Sequence, residues 1–104
     1  MSKPIVSSIG GGSAKEIALD GLGTFILEVM CGGANVEHAS TWVIYRNTSS
    51  LGEIKRLAVY DYATATFNLQ VDWSSNRNNL RLANTGTNSA NIWYVLKKVL
   101  TRAS

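Results

Sequence analysis

Apolar and polar residues in this chain alternate in short blocks with a period of two, and turn residues separate the blocks. Within residues 22–31, Phe25, Leu27, Val29 and Cys31 fall on one face, and Thr24, Ile26, Glu28 and Met30 fall on the other. Residues 66–73 are the cleanest case. There Phe67, Leu69, Val71 and Trp73 alternate with Asn68, Gln70 and Asp72, the pattern of an antiparallel strand with one wet face. Further strands are predicted over 15–19, 38–46, 53–62, 80–83 and 90–100. The first runs into Asp20-Gly21, a favoured hairpin pair. The second holds Trp42, Val43, Ile44 and Tyr45, residues that fit a pleated surface. The last sets Ile92, Tyr94 and Leu96 opposite Trp93, Val95 and Lys97. No segment sustains a 3.6-residue apolar period with helix caps.

Regularly spaced short strands predict an all-β fold, an antiparallel β-sandwich or jelly roll of about seven or eight strands. A chain of 104 residues holds one such core. Residues 1–14 contain Pro4 and the run Gly10-Gly11-Gly12-Ser13, which reads as a flexible leader or linker. Residues 15–104 are then the single folded domain. Anything the linker joins lies on its N-terminal side.

Charge narrows the partners. The chain carries a net charge of +3, but Arg46, Lys55, Arg56, Arg77, Arg81, Lys97, Lys98 and Arg102 are dispersed, which argues against a nucleic-acid stripe. The alternative from that class is a small OB-like or sandwich domain. It would bind single-stranded nucleic acid through Arg77, Arg81, Lys97 and Lys98, with Trp73 or Trp93 as stacking groups. The single Cys31 cannot form an intramolecular disulfide, which fits a reducing compartment. The sequence has neither a signal-peptide pattern nor an apolar run near the roughly 20 residues of a membrane span.

Catalytic candidates are sparse. His38 is the one histidine, and Cys31 lies seven positions before it across a Gly-rich turn. Cys31 shares a face with Phe25, Leu27 and Val29, so it is expected in the core, with His38 at a strand edge on the surface. The seven carboxylates form no paired motif, no ligand cluster has zinc or EF-hand spacing, and the glycine run lacks the lysine of a phosphate loop. The sequence therefore predicts a non-enzymatic protein with no cofactor and no metal.

Binding chemistry is better represented. Loop amides and hydroxyls can pair with sugar hydroxyls, and the faces of Trp42, Trp73, Tyr60 or Tyr62 can stack on a sugar ring. The candidate ligand-binding residues are Asn47, Ser49, Trp73, Asn76, Arg77, Asn78, Asn84 and Asn88. The same Asn residues also suit turns, because they tolerate positive φ. In addition, Thr24, Ile26, Met30, Trp42 and Ile44 are assigned to outward faces, which leaves more apolar strand surface than one subunit needs and predicts self-association.

The Gly/Ser leader, the Asn/Gly turns and the terminal run Ile92, Trp93, Tyr94, Val95, Leu96, Lys97, Lys98 and Val99 together resemble the distal tip or knob domains of tailed-bacteriophage tail fibres and tail needles. The resemblance is one of texture and strand layout over residues 15–100. It implies a homotrimer, made in the host cytoplasm and placed at the tail tip of a virion, that contacts a bacterial surface polysaccharide or outer-membrane receptor, or else a penetration role. A purely structural virion decoration protein is the alternative without a ligand.

Overall fold

The computed structural model describes residues 5–32, 36–48, 51–61, 69–75, 78–86 and 89–101. These form β1 (Ile5–Ile9), β2 (Ala14–Ala18), β3 (Gly23–Gly32), β4 (Val36–Arg46), β5 (Gly52–Asp61), β6 (Leu69–Trp73), β7 (Asn79–Asn84) and β8 (Ala90–Thr101). All pairings are antiparallel, in a five-stranded sheet of order β1-β8-β3-β4-β5 and a three-stranded sheet of order β2-β7-β6. The pairings of β1 with β8 and β2 with β7 are nested, so the two ends of the chain run back along each other. Between them, β3, β4 and β5 form a meander. The fold is the antiparallel β-sandwich that the alternation predicted.

The core lies between the sheets. Phe25, Leu27, Val29 and Cys31 of β3, Trp42 and Ile44 of β4, and Ile92 and Tyr94 of β8 face Ile17, Leu69, Val71, Leu80 and Leu82 of the smaller sheet. Burying each large apolar side chain contributes about 1.5–3 kcal/mol. Cys31 is in this core, as its face predicted.

Three expectations are corrected. Residues 5–9, assigned to the leader, form β1: Ile5 registers with Tyr94 and Ile9 with Ala90, and the Ile9 side chain is buried. Trp42 and Ile44 point inward, as register partners of Leu27 and Phe25, so the outward residues of β4 are Thr41, Val43 and Tyr45. His38 is only 1% exposed and registers with Cys31, so both side chains face the interior. The predicted strand at 66–73 is seen from Leu69 onward; Phe67 and Tyr62 lie outside the described residues.

The sandwich has two ends. At the far end Asn84 Nδ2 donates to Ile9 O (3.1 Å), and Asn84 Oδ1 accepts from Gly86 N (3.0 Å), which ties β1 to the β7–β8 connection. At the near end the loops after β2, β4 and β6 meet the last residues of β8. Arg46, buried at the end of β4, joins two of them: Nη1 donates to Gly21 O (2.7 Å) and Nη2 to Asn78 Oδ1. Lys98 lies over the Phe25 ring at 5.5 Å and donates to Asp20 O (2.6 Å), closing the core on that side.

Candidate functional site

The near end carries a small cleft. Thr24 on β3 registers with both Tyr45 of β4 and Leu100 of β8, which sets these three side chains in one row on the outer face of the large sheet. Gly23, beside them, has φ +141°, and a Cβ there would overlap the Leu100 carbonyl. Glycine thus lets β3 and β8 approach closely as the ladder shifts register between Thr24 and Phe25. With Arg46 and Asn47, these residues line a depression of about 250 Å³. Sites that enclose a drug-sized ligand run from about 300 to 1,000 Å³, so this one matches a single ring.

Its lining is mostly apolar, with Thr24, Asn47 and the buried cation Arg46 as its polar residues. Tyr45 is 46% exposed and supplies an aromatic face, Thr24 a hydroxyl and exposed Asn47 an amide. The Arg46 guanidinium is engaged with Gly21 and Asn78, so it braces the loops after β2 and β6 at this end. The loop after β4 is held by Asn47 N and Thr48 N, both donating to Leu51 O (2.9 and 3.0 Å), and by Leu51 N donating to Thr48 Oγ1 (3.0 Å). Across the end, Ser74 Oγ donates to the Glu16 carboxylate, and Asn79 Nδ2 reaches the same oxygen (3.3 Å). The Ser74 bond, then the Asn79 bond, hold the Glu16 pKa below the ordinary carboxylate range.

Of the candidate ligand residues, the structure gathers Asn47, Trp73 and Asn78 at this end. Trp73 ends β6 and packs on Gly52, where an added Cβ would come within 2.9 Å of its Cζ2; it therefore supports the loop from the core side. Asn84 is at the opposite end and only 1% exposed, so its role is structural and the assignment of it to a ligand is corrected. Ser49, Asn76, Arg77 and Asn88 lie outside the described residues. Sequence reasoning missed Tyr45 and Thr24. Strand 38–46 is apolar on both sides, and only its register with β3 shows which side is outward.

No protein-family model matches the chain, and no curated protein does. A solved structure titled "Crystal structure of the Acinetobacter phage vB_ApiP_P1 tailspike protein" is similar over 90% of this chain and 19% of its own, with a TM-score of 0.48 and 14% sequence identity.

Of the cations named for the nucleic-acid alternative, Arg77 lies outside the described residues, and Arg81, Lys97 and Lys98 are dispersed in space. Arg81 stands on the outer side of the small sheet, between buried Leu80 and Leu82 and opposite Glu16 and Asp72. Lys97 and Trp93 lie on the outer side of the large sheet, and Lys98 is spent on Phe25 and Asp20. Among the described residues, no helix is long and apolar enough to cross a membrane.

A second depression occupies the other half of the same outer face. Register aligns Trp93, Met30, Ala39 and Tyr60 in one row and Val95, Glu28, Thr41 and Ala58 in the next. Short Ala39, Thr41 and Ala58 lie among longer neighbours, which produces a groove of about 420 Å³.

Proposed function

We propose that this chain is a non-enzymatic attachment domain of a virion tail tip that holds a bacterial surface polysaccharide in the near-end cleft. The observation that carries the reading is a cleft of about 250 Å³ on rigid strands, with Tyr45, Thr24 and Asn47 among its lining residues. A sugar ring presents an apolar face and a rim of hydroxyls, and a mostly apolar cleft with Thr24 and Asn47 in its lining complements it. Rigid strands hold Thr24 and Tyr45, while the loop bearing Asn47 is pinned at Leu51, so little ordering entropy is lost on binding.

The direct test measures fluorescently labelled protein on host cells and on purified surface polysaccharide. Tyr45→Ala loses the stacking face, worth roughly 0.5–1.5 kcal/mol, and Asn47→Ala loses a hydrogen bond of about 1 kcal/mol. Each is expected to weaken binding by about three- to tenfold. Unchanged binding by both variants overturns the assignment of the cleft. Shortening of the polysaccharide on incubation with the protein overturns the non-enzymatic reading.

A further inference from the structure

The groove on the outer face differs from the cleft in the sign of its charge. Among the described residues, Glu28 is the one charged group in its lining, in a chain whose net charge is +3. The Glu28 side chain is exposed, and no cation among the described residues pairs with it; Lys55, on the next row, is held by Glu53 at 3.7 Å. Around that carboxylate the lining is apolar or aromatic, with Met30 and Trp93 to one side of Ala39 in the register and Tyr60 to the other. Low-dielectric walls strengthen the pull of a lone carboxylate on a cation.

We infer that this groove binds a small organic cation, an ammonium group on a short apolar body, with the nitrogen at Glu28 and the body on the floor of Ala39, Thr41 and Ala58. The charge of Glu28 sets the sign of the ligand, and aromatic residues such as Trp93 and Tyr60 add to the attraction for ammonium groups. The Glu28 and Met30 rows lie two residues apart, about 7 Å along the strands, which leaves room for a chain of about four carbons. An anion would meet the carboxylate with no lining cation to offset it, and a neutral ligand would leave it unpaired. A polybasic chain is disfavoured as well. Register places exposed Lys97 and Lys55 on either side of Ile26 and Val43, so further positive charges leaving the groove toward the near end would be repelled. The Ile26 row also separates the groove from the Thr24 row of the cleft, so the inference stands independently of the attachment reading.

Amide and indole chemical shifts of the labelled protein, titrated with n-butylammonium and with n-butanol, test it. The two probes match in size and differ in charge. Saturating shifts are expected from n-butylammonium at Glu28, Met30, Ala39 and Thr41 and at the Trp93 indole, with n-butanol bound about five- to tenfold more weakly. Glu28→Gln, at an exposed position, should leave the melting temperature unchanged and bring n-butylammonium down to the affinity of the alcohol. Ala58→Leu, which fills part of the floor, should weaken both probes. Absence of saturating shifts in the groove, equal affinity for the two probes, or a preference for the ammonium that survives Glu28→Gln would overturn the inference.

Discussion

Replacing Gly23 by alanine tests how the near end is built. An alanine there must adopt φ near +141°, which costs about 1–3 kcal/mol for a residue with a side chain. Its Cβ would also overlap the Leu100 carbonyl oxygen and lie 3.0 Å from the carbonyl carbon and 3.1 Å from Thr101 Cα. Those atoms are backbone and cannot rotate away, so β3 and β8 must part at their ends. Losing about two ladder hydrogen bonds at roughly 1 kcal/mol each brings the total to about 3–5 kcal/mol. Against a total stability of about 5–15 kcal/mol, this lowers the melting temperature by roughly 15–30 °C. Gly12→Ala is the internal control: φ is +78°, but no atom lies within 4 Å of the added Cβ, so only about 1 kcal/mol of backbone strain is expected. Urea unfolding followed by tryptophan fluorescence measures both. If Gly23→Ala and Gly12→Ala agree within about 1 kcal/mol, the close approach of β3 and β8 is not what demands glycine.

Leu27→Ala, in the middle of β3 with no exposed surface, should cost about 3–5 kcal/mol in the same assay, as cavities at fully buried leucines do. Arg46→Ala removes the donors to Gly21 and Asn78 and should cost about 2–4 kcal/mol, with faster amide exchange in the loops after β2 and β6. Glu16, whose carboxyl is held below its ordinary range, contributes stability that is present above the unfolded pKa and lost as pH falls through the lowered folded value. Urea midpoints taken from neutral pH down through the carboxylate range should therefore fall less steeply for Glu16→Gln than for the unsubstituted protein.

How much of this was legible in the sequence depended on whether one face of a strand was distinctly polar. In β3 the exposed Glu28 among apolar neighbours fixed the inward set, and Phe25, Leu27, Val29 and Cys31 are buried as predicted. In β6 the alternation of Leu69, Val71 and Trp73 with Gln70 and Asp72 did the same. In β4 both faces are apolar, so period alone could not choose between Trp42 with Ile44 and Val43 with Tyr45; pairing with β3 decides. That ambiguity hid Tyr45, the main aromatic of the cleft. β1 escaped because its Ser7 and Ser8 resemble linker, while the partner that makes it a strand, β8, lies some 85 positions away in the chain. The Asn residues were ambiguous for a different reason. An amide serves equally as a ligand group, a loop brace or a buried staple, and Asn47, Asn78 and Asn84 turn out to be exposed on the cleft, bonded to Arg46 and buried against Ile9, respectively.

The measurement that bears most directly on the attachment reading is an amide chemical-shift titration of the labelled protein with oligosaccharide cut from the host polysaccharide. The expected result is a set of saturating shifts confined to Gly23, Thr24, Tyr45, Arg46, Asn47 and Leu100, with Asn84 and its neighbours at the far end unmoved. No saturating shifts, or shifts centred on the far end, would contradict it.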